Sequence, residues 1–115
     1  MNGINAPTTD AGKAGPFTQA AGFLSYYEIC NLIENGWSKE WNDEQKIPFA
    51  FKDDQWVGYD DPKSISLKCE YVAKRKLAGA MIWSLDLDDF NGSFCKNGKY
   101  PLLSTIKVNL FNPFH

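Results

Sequence analysis

The 115 residues suffice for one small domain, and a hydrophobic share of 43% with 23% charged residues is ordinary for a globular chain. Twelve Lys and Arg against fourteen Asp and Glu leave a net charge of -2, which gives no footprint for nucleic acid or for an anionic membrane surface. No apolar run reaches the ~18 residues of a membrane span, and Met1-Asn2-Gly3-Ile4-Asn5 has neither the charged nor the apolar region of a signal peptide.

In chain order, residues 1–21 are rich in Gly, Pro, Ala, Thr and Asn and read as a loop or extended entry. Residues 23–33 place Phe23, Tyr26, Tyr27, Cys30 and Ile33 on one helical stripe, with Gly36 as a fitting stop. Residues 37–59 read as short strands. Ile47 to Lys52 and Gln55 to Tyr59 are aromatic and β-branched, and Asp53-Asp54 between them predicts a hairpin, because Asp tolerates left-handed turn conformations. Asp61-Pro62 supplies an N-cap and a first-turn proline for a helix carrying Ile65, Cys69, Val72 and Ala73 on one face. Lys74, Arg75 and Lys76 fall in its last turn, where cations suit the helix dipole. Gly79 then starts an apolar run through Leu85 that reads as a strand buried on both faces, followed by an abruptly acidic stretch. Pro101 opens a last helix with Leu102, Leu103, Ile106 and Leu110 inward, and Asn112-Pro113 stops it.

Residues that commonly carry chemistry are sparse. Cys30, Cys69 and Cys95 form an odd set without a Cys-x-x-Cys pair, and the one His is the last residue, so no zinc site is expected. Asp86, Asp88 and Asp89 do not fit a calcium loop, since the fifth position from Asp86 is Phe90 and the sixth is Asn91. They read as a solvated loop ending the strand. No cofactor is implied. Asn91-Gly92-Ser93 is an N-glycosylation sequon. On residues alone Trp83 reads as a core tryptophan.

Several long motifs stand in a telling order: Ala21-Gly22 through Tyr26-Tyr27-Glu28-Ile29-Cys30, then Gln55-Trp56-Val57-Gly58-Tyr59-Asp60-Asp61. Gly79-Ala80-Met81-Ile82-Trp83 and Asp86-Leu87-Asp88-Asp89-Phe90-Asn91-Gly92-Ser93-Phe94-Cys95 follow. Together they resemble the carboxyl end of glycoside hydrolase family 18, the chitinases and chitinase-like lectins. The resemblance implies an α/β fold: the seventh helix, eighth strand and eighth helix of a (β/α)8 barrel at 61–115, and most of the α+β chitinase insertion domain at 1–60. A complete barrel needs roughly 250 residues, so only part of one is present.

The resemblance also implies roles. Trp83 would be the hydrophobic floor under the sugar at the cleavage subsite, with Met81, Leu87 and Phe23 lining the same cleft. Cys30 would pair with Cys95, which requires an oxidising compartment, and Cys69 would stay a buried free thiol. The implied protein is secreted, with its signal upstream of this chain. It is a monomer when intact, and its partner is chitin or a chitooligosaccharide rather than nucleic acid or membrane. The Asp-x-x-Asp-x-Asp-x-Glu signature whose Glu protonates the leaving oxygen in this family is nowhere in the sequence. The chain therefore reads as a fragment of a chitinase that hydrolyses β-1,4-linked N-acetylglucosamine, contributing the cleft floor and no catalytic residue. The alternatives are a non-catalytic lectin of the same family and an inactive truncated product.

Overall fold

The structure is a computed structural model and describes residues 5–111. Helix α1 spans Tyr26–Glu34 and begins where Ser25 makes a capping box with Glu28. The Glu28 amide donates to Ser25 Oγ at 3.3 Å and the Ser25 amide donates to Glu28 Oε2 at 2.8 Å. This cap corrects the expected start at residue 23: Phe23 lies two residues before the Ser25 cap and is exposed. At the other end Gly36 takes φ 103°, a left-handed conformation that glycine adopts without steric cost.

Strands β1 (Ser38–Asn42), β2 (Ile47–Lys52) and β3 (Gln55–Gly58) form an antiparallel sheet in that order. Asp53 holds φ 53° in the β2–β3 turn, the left-handed state its short polar side chain permits. The register sets Ala50 between Lys39 and Val57, and Phe51 between Ser38 and Trp56. Phe49 stacks on Trp56 and Phe51, with ring centroids 5.7 and 6.1 Å away.

Helix α2 (Pro62–Lys74) begins with a second capping box, Asp61 with Ser64, both bonds 2.9 Å. Lys39 of β1 reaches the same Asp61 at 3.0 Å, and Lys63 Nζ lies 3.8 Å above the Trp41 ring, so two contacts fasten the sheet to the start of α2. On the inward face Cys69 is buried, Ile65 and Val72 are half-buried and Ala73 is exposed. Lys74 is the last helical residue. Arg75 caps the helix and Lys76 lies past it at φ 53°, so only one of the three cations sits in the last turn. Helix α3 (Pro101–Phe111) packs on α2, with Ser66 Oγ donating to Asn109 Oδ1 at 3.1 Å. Leu102, Leu103, Ile106 and Leu110 are half-buried. The Asn112-Pro113 stop lies outside the described residues.

The expected buried strand is the main departure. Residues 79–84 join no sheet among the described residues, and Met81, Ile82 and Trp83 are exposed. A parallel strand needs neighbours on its edges, and this chain supplies none in register. A short 3-10 turn follows at Leu85–Leu87. The acidic stretch departs as well. Asp88 and Asp89 are buried rather than solvated, because backbone amides folded back from further along the chain meet their carboxylates. Asp88 accepts from the amides of Leu102 (3.3 Å) and Leu103 (3.0 Å), which caps α3. Asp89 Oδ2 accepts from those of Phe94 (3.2 Å) and Cys95 (2.8 Å). A disulfide from Cys30 to Cys95, with Cα atoms 5.2 Å apart, then ties this loop to α1.

Candidate functional site

A cavity of about 320 Å³ opens where α1, the end of the sheet, α2, the 79–87 segment and α3 converge. Phe23, Met81, Trp83 and Leu87 all line it, although Phe23 and Leu87 are far apart in the chain. Trp83 is 85% exposed and Met81 82%, which overturns the core reading of Trp83. Ile65, Leu102 and Ile106 form the apolar back of the cavity.

Local structure explains the placement. Phe23 is outside α1 because Ser25 takes the cap, and so it reaches the cavity instead of the helix stripe. Leu87 is positioned by the 3-10 turn, in which Ser84 Oγ hydrogen-bonds Asp86 Oδ1 and the Leu87 amide donates to the Ser84 carbonyl at 3.0 Å. The buried Asp88 cap then fixes the end of that turn to α3. Met81 and Trp83 lie on the unpaired 79–84 segment, which joins no sheet among the described residues and leaves both side chains exposed.

The carboxylates around the cavity are already committed. Asp60 accepts from Ser64 Oγ at 2.8 Å and pairs with Lys68 at 2.7 Å. Asp88 is taken up by the α3 amides. Tyr59 also lines the cavity, and its hydroxyl is buried without a hydrogen-bond partner among the described residues. Burial, reinforced by Asp61, pushes the Tyr59 phenol far up. Burial with Asp61 likewise pushes Tyr26 up to about 12, its centroid 6.3 Å from that of Tyr59. Both phenols hold their protons at neutral pH.

Glu28 is a structural carboxylate that the sequence reading left unassigned, although Ser25-x-x-Glu28 is a legible capping-box pattern. It is 2% exposed. Burial alone would push its carboxyl up. The amides of Thr18, Ser25 and Phe17, with the Thr18 hydroxyl, outweigh burial and hold it below the usual value of 4.5. A Cβ on Gly15 would sit 2.6 Å from Glu28 Cδ, so only glycine fits where the entry loop wraps this carboxylate. Glu28 is thus ionised and saturated with donors, the reverse of a general acid. Nothing in the sequence marks the Tyr59 hydroxyl as unpaired.

Cys69 is a buried free thiol, and burial pushes its pKa up, which favours the protonated, unreactive form. Among the described residues no three His, Cys, Asp or Glu converge as a metal site, and no helix is long and apolar enough to cross a membrane. Asn91 is exposed and away from the cavity lining.

A family model described as glycosyl hydrolases family 18 matches residues 2–88. The chain belongs to that family. It is 46% identical over 112 residues to chitotriosidase-1 of Mus musculus, covering 97% of this chain and 23% of that protein. It is also 46% identical over 107 residues to chitinase-3-like protein 2 of Homo sapiens, covering 93% of this chain and 27% of that one. Human YKL-39, a pseudo-chitinase with retained chitooligosaccharide binding properties, superposes with a TM-score of 0.93 at 44% identity, over 97% of this chain and 30% of that structure. Catalytic domain 2 of the Ostrinia furnacalis Group II chitinase gives 0.92 at 48% identity, over 96% and 30%. The chain therefore spans about a quarter to a third of the relatives it matches. Its fold is a part of the family 18 fold, an α+β piece of three helices and a three-stranded sheet.

Proposed function

We propose that this chain is the carboxyl-terminal part of a secreted family 18 protein and that it supplies the floor of a cleft for β-1,4-linked N-acetylglucosamine chains. Residues 1–60 are the partial insertion domain and residues 61–115 the end of the barrel. The observation that carries the reading is the convergence of Trp83, Met81, Leu87 and Phe23 on one cavity, with the Trp83 indole open to solvent. The C–H-rich face of a pyranose stacks on such an indole, and the apolar neighbours extend the non-polar contact.

The contribution is binding and shape. Among the described residues the carboxylates at the cavity are bound to Lys68 or to backbone amides, and the sequence has no Asp-x-x-Asp-x-Asp-x-Glu signature to protonate a leaving oxygen. Binding without cleavage is accordingly the expected behaviour of the chain itself, whether the whole protein is a hydrolase or a lectin. The Cys30–Cys95 bond supports an extracellular setting.

Titration calorimetry with a chitooligosaccharide tests this. Trp83→Ala should weaken binding by about 1–3 kcal/mol, the range for losing an aromatic platform under a flat ligand. That is roughly five- to 150-fold in Kd. Equal affinity in the wild type and Trp83→Ala would reduce Trp83 to an exposed bystander.

A further inference from the structure

We propose that Asn91 carries an N-linked glycan. Asn91-Gly92-Ser93 is the only Asn-x-Ser/Thr sequence in the chain, and the cleft reading makes no use of it. A transferase needs the asparagine amide and the hydroxyl two residues on to be accessible together. The structure presents both. Asn91 and Ser93 are exposed, whereas Gly92 between them is half-buried.

The inward position of Gly92 has a steric cause. A Cβ there would lie 2.7 Å from the backbone of Gly98, and its φ of 72° is left-handed, so the middle of the sequon is pressed against the 98–99 backbone and its two flanks turn outward. The turn is closed by the Gly92 amide, which donates to the Asp89 carbonyl at 3.0 Å, and that carbonyl also receives the Tyr100 amide at 3.0 Å. Anchoring by the Asp89 carboxylate and by Cys95 holds the base of the loop without enclosing its tip. The disulfide four residues past Asn91 thus leaves the acceptor accessible.

The reaction is a group transfer from a lipid-pyrophosphate-linked oligosaccharide. Asn91 Nδ2 forms a bond to the anomeric carbon of the first N-acetylglucosamine. The bond from that carbon to the pyrophosphate oxygen breaks, the pyrophosphate keeps the electron pair, and Nδ2 gives up one proton.

The test is to send the 115-residue chain through the secretory pathway of mammalian cells behind a cleavable leader. Secreted and intracellular pools are both treated with peptide-N-glycosidase, so retention inside the cell does not hide the result. The wild type should shift in mobility on treatment, and its peptide around residue 91 should emerge with Asp in place of Asn. Ser93→Thr should shift as well, and Asn91→Gln and Ser93→Ala should not. A wild type that never shifts overturns the proposal, and so does a shift that survives in Asn91→Gln.

Discussion

Replacing both Cys30 and Cys95 by Ser opens a loop whose ends are 65 residues apart in sequence. The chain-entropy relation gives about 4 kcal/mol at 25 °C for a closure of that length, and measured removals fall at about 2–5 kcal/mol. That loss weighs heavily here. A folded domain is ordinarily stable by only about 5–15 kcal/mol. Among the described residues the buried apolar side chains are few, Tyr26, Ile29, Pro48, Phe49, Ala50, Cys69 and Pro101, and the buried polar groups Ser25, Glu28, Asp61, Ser64, Asp88 and Asp89 nearly match them in number. Urea unfolding followed by tryptophan fluorescence should show the midpoint of the Cys30→Ser/Cys95→Ser variant displaced by an amount equivalent to about 4 kcal/mol. Reduction of the wild type should produce the same displacement. Thiol titration of oxidised wild type should find one reactive group, Cys69, and only after unfolding. A change below about 1 kcal/mol at an unaltered urea dependence would refute the reasoning, because the unfolded chain would then gain no freedom when the bond is absent.

Glu28→Gln should destabilise by about 3 kcal/mol, since an amide accepts fewer of the donors converging on the carboxylate and a charge-assisted set is lost. The same site makes stability depend on acid. The folded-state pKa lies below the unfolded 4.5, so the contribution is complete above 4.5 and disappears as the pH falls through the folded value. Urea midpoints at neutral and acid pH should therefore lie further apart in wild type than in Glu28→Gln; parallel falls would exclude Glu28 as the source. Asp88→Ala should cost about 1 kcal/mol through the lost cap of α3, and hydrogen exchange at the Leu102 and Leu103 amides should speed up, whereas unchanged protection there would mean that the cap is idle. A reducing-end assay should find no turnover of chitooligosaccharide by the 115-residue chain, and measurable turnover would show that a proton donor has been overlooked.

Features that depend on a few neighbouring residues were legible in the sequence. Asp61-Pro62 starts α2, Pro101 starts α3, Asp53 turns the hairpin and Gly36 ends α1, because in each case the local backbone preference and the final structure agree. The start of α1 was legible too, but the Ser25-x-x-Glu28 box outweighs the apolar stripe that drew the boundary back to Phe23. What could not be read depends on partners remote in sequence. Asp88 and Asp89 look like a solvated acidic run until the amides of 94, 95, 102 and 103 fold back on them. The 79–84 segment has the composition of a buried strand, yet composition cannot provide the neighbouring strands that would bury it. For the cleft, resemblance named Trp83, Met81, Leu87 and Phe23, and the residues by themselves favoured a core tryptophan. The structure adds that the four share one cavity.

The division of labour at this site follows from how its carboxylates are used. A general acid must keep its proton near neutrality and have it free to give. Glu28 is held ionised by the amides of the entry loop and of its own cap. Asp88 and Asp89 satisfy backbone donors that would otherwise be buried without partners, and Asp61 caps α2 while bridging to Lys39. These acids serve the integrity of the loops, and freeing any of them for catalysis would unpick the element it caps. The side chains left open are the aromatic and aliphatic ones: Trp83, Met81 and Phe23. A surface of that kind is suited to stacking and apolar contact, and these carboxylates, committed to lysines and backbone amides, are not placed to give up a proton beside it.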